Sequence, residues 1–230
     1  MSALLETEAD IAVCNFKEDF PDSKDIPIKT ASYGKRLYSN QETLRMLVNG
    51  ESFIRFFVWN KLYKRSVLTD IFFPEGKIFE DCLWTTKVVC NSKSITCMDI
   101  PLYHYLHRPD SLSHNNEFYA TGILDKIEMY KQRAEYIHEH YPEFEKGAIT
   151  SLQNLCYHEY VRISLHNPHI DKDGRIRHEL HRYFCQSGPF VIQHSDSFKK
   201  NLGQWLFRIC PWLFWKIYTL RRRLCFNKKR

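Results

Sequence analysis

Hydrophobic and polar residues alternate along the first half of the chain with strand-like and helix-like spacings in turn. The apolar, β-prone run at its start predicts a buried strand, and Ser39 or Asn40 is placed to cap the helix that follows. The predicted elements are a strand at 9–16, a helix at 40–50, a helix at 81–91, and strands at 94–98 and 102–106. Strands alternating with helices are typical of an α/β fold.

From residue 115 onward the apolar positions follow a helical period throughout. The first stripe is ended by Pro142 and comprises Tyr119, Ile123, Ile127, Tyr130, Ala134, Ile137 and Tyr141. Two more helices are predicted at about 143–165 and 173–185, and none of the three contains a catalytic constellation. The pattern therefore predicts an αβ body at 1–113, a mainly helical subdomain at 114–196, and a separate segment at 197–230.

The segment 197–230 contains ten basic residues and no acid, whereas the remainder of the chain has 23 basic against 27 acidic groups. Its leucines and isoleucines recur at spacings of three and four, which places them on one helical face, and Pro211 is expected to start a second helix or to kink a continuous one. Tryptophans and arginines accompany this stripe, namely Trp205, Trp212, Trp215, Arg221, Arg222 and Arg223. These features predict a helix on an anionic membrane surface. The alternative is a stripe packed on the protein's own core.

Composition narrows the class of protein. At 230 residues, with 43% hydrophobic and 15% aromatic residues, the chain is long and apolar enough to bury a core. The eight cysteines contain no Cys-x-x-Cys pair, and Glu6, Glu8 and Asp10 interrupt any apolar leader, which favours reduced thiols in the cytoplasm. The expected location is therefore the cytoplasmic face of the cell membrane. Because the basic residues are interleaved with bulky apolar ones, nucleic acid is not expected as a partner.

Two adjacent acids stand at the start of the helix predicted at 81–91. The turn Pro74-Glu75-Gly76 leads to Glu80 and Asp81, which would lie in or just before the first helical turn. The backbone N–H groups there favour an ionised carboxylate, by roughly 0.3 to 1 kcal/mol at an exposed site. An ionised acid facing a cleft can act as a general base, whereas the plain alternative is a capping residue.

Several motifs around this acid pair occur together, and they are Trp59-Asn60-Lys61-Leu62-Tyr63-Lys64-Arg65, Phe73-Pro74-Glu75-Gly76-Lys77, Glu80-Asp81 and Tyr103-His104-Tyr105 with Ser111. In combination they resemble the second half of a family 2 glycosyltransferase of bacterial surface-polysaccharide type, over residues 9–113. The resemblance implies a GT-A fold, a nucleotide-sugar donor, a divalent metal (Mn or Mg) and inversion at the anomeric carbon. It also implies that Asp81 deprotonates the acceptor hydroxyl, with Glu80 shaping the acceptor pocket.

The same resemblance implies a donor-binding half with a metal-binding Asp-x-Asp motif, for which this chain has no counterpart before residue 9. Its only Asp-x-Asp match, Asp171-Lys172-Asp173, precedes Gly174 and is typical of a turn. We therefore expect this chain alone not to bind a nucleotide sugar tightly. The predicted function is that of a truncated glycosyltransferase with a lipid-linked saccharide acceptor. The alternative is a non-catalytic module that docks on a membrane or on a partner transferase.

Further residues are candidates for substrate contacts. Trp59 and Trp84 can stack on a sugar or belong to the core, and Lys61 can meet a phosphate or remain solvated. By the resemblance, the loop with His107, Arg108 and Ser111 approaches the donor diphosphate, so that Arg108 offsets phosphate charge. The alternative for these three is an ordinary surface loop. His104 and His107 lack a further ligand at a familiar spacing, so no metal site is assigned.

Overall fold

The computed structural model describes residues 2–20, 34–50, 54–108, 116–189 and 198–227, without the side chains of 116–121, 198, 199 and 221–227. Its strands are β1 (Ile11–Asp19), β2 (Lys35–Ser39), β3 (Lys61–Tyr63) and β4 (Ser94–Leu106). Its helices are α1 (Ser2–Thr7), α2 (Asn40–Asn49), α3 (Asp81–Asn91), α4 (Asn116–His140), α5 (Glu145–His166), α6 (Arg175–Gln186), α7 (Phe198–Ile209) and α8 (Pro211–Asn227). The predicted α/β class with a mainly helical second half is confirmed.

The four strands form one mixed sheet in the order β2-β4-β1-β3. The strand predicted at 9–16 is β1, which pairs in parallel with β4 and antiparallel with β3. The two strands predicted at 94–98 and 102–106 form the single strand β4, because β1 follows it through register shifts at Cys14/Asn15 and Asn15/Phe16. A β-bulge of this kind lets one strand bend and continue instead of ending.

The helix predicted after Ser39 is α2, and its ends have the predicted chemistry. The Ser39 hydroxyl accepts a hydrogen bond from the Glu42 backbone N–H, and the Glu42 carboxylate accepts one from the Ser39 backbone N–H at 2.8 Å. Gly50 ends the helix in the left-handed conformation with φ of 69°. Such a capping box and glycine together satisfy backbone groups that the helix leaves unpaired at its two ends.

The main core lies between the sheet and helices α2, α3 and α4. Alternate β1 residues point to opposite faces, so Ile11 and Val13 join this core while Ala12 packs against Leu4 of α1. Contacts divide the chain into two compact units, Met1–Ser151 and Leu152–Arg230. The first unit holds the sheet together with α4, and the division falls within α5 rather than at the predicted 113/114 boundary.

The second unit is organised around aromatic side chains of α5 to α8. The Phe207 ring is fully buried and makes edge contacts with Tyr157, Tyr160, Phe184 and Phe214. The break between α7 and α8 falls at Pro211, as the sequence predicts. These rings bury one side of α7 and α8, so the two helices are part of a packed unit and not a detached tail.

The Asp171-Lys172-Asp173 turn is confirmed. Asp171 is buried, and its carboxylate accepts hydrogen bonds from the Ile176 backbone N–H at 2.8 Å and from Arg177 Nε at 2.7 Å. Asp173 accepts from the Arg175 backbone N–H at 3.2 Å. Both carboxylates therefore serve the start of α6, which is the ordinary structural use of acids at a helix N-terminus.

The approach of α5 to α2 generates a stability prediction. A methyl group added at Gly147 would lie 2.9 Å from Val48 Cγ2, and Val48 is buried in the core. We expect Gly147→Ala to lower the free energy of unfolding by about 1 to 3 kcal/mol, because overpacking outweighs the gain in helix propensity of roughly 1 kcal/mol. Gly122→Ala is the matched control, since its new methyl group meets Ile78 at an ordinary 3.4 Å. Equal urea midpoints for the two variants would contradict the proposed close approach.

Candidate functional site

A cleft of about 500 Å³ opens beside the acid pair in the first unit. Its walls come from the segment before β3, from the start of α3 and from α4. The lining residues are Leu47, Gly50, Ile54, Arg55, Phe56, Phe57, Phe79, Asp81, Cys82, Lys126 and Tyr130. Of the sequence-predicted candidates, Asp81 faces this cleft directly.

Asp81 is the first residue of α3, and burial together with the adjacent Glu80 carboxylate raises its pKa to about 6. The backbone N–H groups at the helix start favour the ionised carboxylate, as the sequence predicts, but desolvation outweighs them. The Glu80 side chain makes no capping hydrogen bond. A carboxylate with a pKa near 6 is deprotonated at neutral pH and still basic enough to accept a proton, which is the property of a general base.

The residue before the acid pair has a strained backbone. Phe79 has a positive φ of 62°, which is a rare conformation for a bulky side chain and costs of order 1 to 3 kcal/mol. Its ring lines the cleft, and Lys126 Nζ lies 4.9 Å from the ring centroid. Strain of this kind persists where the surrounding structure fixes it, and it concentrates at functional sites. This strain is not predictable from the sequence, because nothing in the run Ile78-Phe79-Glu80 requires a left-handed residue.

Lys61 is a buried cation with all of its donors in use. Its ammonium donates to the Arg55 carbonyl at 2.8 Å, to the Phe57 carbonyl, and to Asn60 Oδ1 at 2.9 Å. Burial lowers its pKa to about 8 despite the opposing effect of Asp81 and two thiols. An ammonium group has three N–H donors, so none is left for a substrate phosphate. The structure thus gives Lys61 a positioning role rather than the phosphate contact considered from the sequence.

The cleft wall at 55–57 is held by three consecutive carbonyls. Lys61 takes the first and third, and Thr85 Oγ1 of α3 donates to the middle one, that of Phe56, at 2.7 Å. Asn60 ties the same region to β1, since its Nδ2 donates to the Cys14 carbonyl at 2.8 Å. Asn60 and Lys61 therefore hold the wall that faces Asp81 in place. This structural role accounts for the proximity of the Asn-Lys motif to the acid pair in the folded chain.

The two candidate tryptophans have different environments. Trp59 stacks on Tyr103 at 4.4 Å and on Phe57 at 4.8 Å between ring centroids, so it lies one ring behind the cleft wall. Trp84 is only 6% exposed and stacks on Phe73 at 4.5 Å. Trp84 is thus a core residue, whereas the Trp59 stack is continuous with a side chain that lines the cleft.

The remaining donor-side candidates are not among the cleft-lining residues. His107 stacks on Phe20 at 4.3 Å, and its backbone N–H donates to the Asp19 carbonyl at 2.8 Å. Arg108 is exposed, and Ser111 lies outside the described residues. Within the described part of the chain, no group of three or more histidine, cysteine, aspartate or glutamate side chains is arranged to hold a metal ion. The described residues therefore do not by themselves fit a divalent metal.

Two of the predicted membrane-surface residues, Trp205 and Trp212, lie on the exposed side of α7 and α8. Trp205 is 50% and Trp212 is 64% exposed, whereas Trp215 is partly buried. Leu202, Ile209, Leu213, Ile217 and Leu220 are exposed as well. The alternative that this stripe packs on the protein's own core is therefore wrong for these positions. The arginines at 221–223 lie in α8, but their side chains are outside the described residues.

Comparison with known proteins gives the relationship. No family model matches the chain. EpsH of Bacillus subtilis (strain 168), which is named as a glycosyltransferase, is 24% identical over 139 residues, covering 57% of this chain and 39% of EpsH. Glycosyltransferase GlyA of Streptococcus pneumoniae serotype 4 is 32% identical over 116 residues, covering 48% of this chain and 16% of GlyA. The chain is similar to glycosyltransferases.

This glycosyltransferase-like chain spans less than two fifths of each of these relatives. Among solved structures, S. aureus TarS (residues 1–349) in complex with UDP-GlcNAc is similar over 85% of this chain and 68% of TarS, with 16% identity and a TM-score of 0.37. The same TarS segment in complex with UDP gives 17% identity and a TM-score of 0.33. These scores are too low to transfer any site.

Sequence reasoning missed the α4 side of the cleft. Lys126 and Tyr130 line the cleft from one face of that helix, and Arg133 follows on the same face. The sequence predicts Tyr130 as part of an apolar stripe. Its ring does pack against Phe56, but the stripe does not predict that Tyr130 also lines the cleft. The available signal was the pair of cations, spaced at i and i+7, beside an otherwise apolar face.

The raised pKa of Asp81 has a consequence for stability. Between its ordinary value of 3.8 and about 6, the folded chain keeps a proton that the unfolded chain has lost. The free energy of unfolding should therefore fall as pH rises through this window and remain lower above it. We expect Asp81→Asn to remove this loss, so that its stability relative to the parent is greater by about 2 to 3 kcal/mol at pH 8 than at pH 4.

Asp10→Asn is a control of opposite sign. Burial acts to raise the Asp10 pKa, but hydrogen bonds from the Lys93 backbone and from Lys64 lower it overall. Its carboxylate therefore stabilises the fold above the ordinary pKa, and this contribution is lost as pH falls. Urea unfolding at the two pH values should show Asp10→Asn losing stability at pH 8, where Asp81→Asn gains it. A parallel response of both variants would refute the assigned environment of Asp81.

Proposed function

We propose that this chain supplies the acceptor-side half of an inverting glycosyltransferase with a GT-A body, in which Asp81 is the general base. The observation that supports this most is a half-buried carboxylate with a pKa of about 6, lining a cleft next to a strained Phe79. The similarity to EpsH and GlyA supports the reaction class. The motif resemblance over 9–113 supports the direction of transfer and the role of the acid.

The proposed chemistry is a single displacement. The acceptor hydroxyl enters the cleft, Asp81 removes its proton, and the acceptor oxygen forms a bond to the anomeric carbon as the bond to the departing nucleoside diphosphate breaks. The wall at 55–57, fixed by Lys61 and Thr85, holds the acceptor against Asp81. A divalent metal, expected from the resemblance, would stabilise the leaving diphosphate when bound, but the described residues form no site for it. We likewise propose the nucleotide-sugar donor, the saccharide acceptor and the partners on the basis of the resemblance.

The test is the isosteric substitution of the base. In a version of the chain completed with a glycosyltransferase donor-binding domain, Asp81→Asn should lower turnover by about 10² or more, because it removes the proton acceptor and keeps the shape. The parent should gain activity as pH rises through about 6, where Asp81 loses its proton. Asp10→Asn, at a carboxylate that is not among the cleft-lining residues, is the matched control and should retain most activity. Near-parental turnover in Asp81→Asn would contradict Asp81 as the base, and absence of turnover in the parent would support the alternative of a non-catalytic module that docks on a membrane or partner transferase.

We further propose that α7 and α8 hold the protein on the inner face of the cell membrane, near a lipid-linked saccharide acceptor. The exposed stripe with Trp205 and Trp212 supplies apolar area, and the segment's basic residues meet acidic lipids. None of the described helices has the length and hydropathy needed to cross a bilayer. Arg208 has a structural use instead, since it donates to the carbonyls of Cys185 and Gly188 near the end of α6.

Binding to lipid vesicles tests this proposed membrane location. Removing residues 198–230 would also expose the partners of Phe207 and Phe214, so surface substitutions give the sharper experiment. We expect Trp212→Ser with Leu213→Ser to weaken binding to vesicles containing anionic lipid by about tenfold or more. Phe72→Ser is the control, because Phe72 is 82% exposed but lies in the first unit. Binding should also weaken in high salt, and equal losses for both variants would count against the proposal.

A further inference from the structure

The α4 wall of the cleft contains a buried arginine with no acidic partner among the described ion pairs. Arg133 is 1% exposed, and its Nε and Nη2 atoms have no hydrogen-bond partner among the described residues. Its third nitrogen, Nη1, lies 3.7 Å from the Cys82 thiol, which is a weak acceptor. A buried charge without a carboxylate or full hydrogen bonding is costly, so its retention in this place calls for an explanation.

The guanidinium stands directly behind the cleft. Its central carbon lies 4.9 Å from the ring centroids of both Phe56 and Tyr130, and both rings line the cleft. These two cation–π contacts offset part of the desolvation cost without neutralising the charge. In such an apolar setting the positive charge acts through the aromatic wall, because little solvent is present to screen it.

Two more cations belong to the cleft surface itself. Lys126 lies two helical turns before Arg133 on the same face of α4, and Arg55 stands on the opposite wall. Among the described residues that line the cleft, Asp81 is the one acid. Apart from Asp81, the charged side chains among the described lining residues are therefore positive. Binding of a neutral sugar acceptor would not require these cations.

We propose that the cleft binds an acceptor with an anionic group, a phosphate or a carboxylate, which Lys126 contacts directly and Arg133 attracts from behind the Phe56 and Tyr130 rings. This inference rests on the proposed function in calling the ligand the acceptor. It assigns a charge requirement to the site, and it gives a use to the one buried arginine of the first unit whose nitrogens lack partners in the described chain.

The experiment compares a charged and a neutral probe on the intact chain. At constant ionic strength, glycerol 1-phosphate should bind with a dissociation constant on the order of millimolar, and glycerol at least about tenfold more weakly. Arg133→Met, which keeps the volume, and Lys126→Gln should each weaken glycerol 1-phosphate binding about five- to tenfold. Arg133→Lys should largely retain it. If Arg133→Met does not fold, Lys126→Gln and Arg133→Lys decide the matter.

Lys87→Gln is the matched control, since Lys87 lines a separate cleft with Tyr136 and His140. It should leave binding unchanged. Equal affinities for the two probes, equal loss in Lys87→Gln, or a site that takes UDP and not glycerol 1-phosphate would overturn the proposal.

Asp81→Asn separates this inference from the proposed function. It removes the one acid among the described lining residues, so glycerol 1-phosphate should bind as well or more tightly while turnover of the completed enzyme is lost. Tight probe binding with retained turnover would contradict Asp81 as the base and leave the anion site standing. Lost turnover without probe binding would contradict the anion site alone.

Discussion

The ammonium group of Lys61 is the contact on which the candidate site depends. It is buried, and it joins the carbonyls of Arg55 and Phe57 to the Asn60 side chain, which in turn is bonded to β1. A cation is tolerated there because all three of its donors are satisfied. Since the same segment forms one wall of the cleft, Lys61 helps to position that wall, together with Asn60 on the β1 side and Thr85 on the α3 side.

The low dielectric that surrounds Lys61 also acts on Asp81, and both groups shift toward their neutral forms. The Lys61 pKa falls to about 8 and the Asp81 pKa rises to about 6, each because of burial first. The surroundings of the two groups differ. The Lys61 ammonium makes hydrogen bonds that offset its desolvation, whereas the Asp81 carboxylate faces an open cleft beside a second acid. The site thus combines a hydrogen-bonded cation with a carboxyl group of raised pKa, next to the backbone strain at Phe79.

In the second unit, helices α7 and α8 have one buried face and one exposed apolar face. Phe207 and Phe214 are buried among aromatic partners, while Trp205, Trp212 and Leu220 remain exposed on the other side of α7 and α8. A helix pair that only completed a core would have no reason to expose so much apolar surface. This exposed apolar surface and the basic residues of the same segment are the features on which the proposed binding to acidic lipids rests.

The sequence alone determined most of the elements. The apolar residues of α2, α3, α4, α5 and α6 recur at helical spacing, and the local chemistry of Ser39, Gly50 and Pro211 marks where helices begin or end. It also predicts Asp81 as a candidate base at the start of α3, and the apolar stripe along α7 and α8. Only the tertiary structure decided what surrounds each candidate. Lys61 and Trp84 are buried by tertiary packing, and the Asp81 pKa depends on burial. Lys126 and Tyr130 line the cleft only once α4 packs beside α3, with Arg133 behind the Tyr130 ring. Periodicity encodes which face of a segment is buried, but it does not encode which other segment that face will meet.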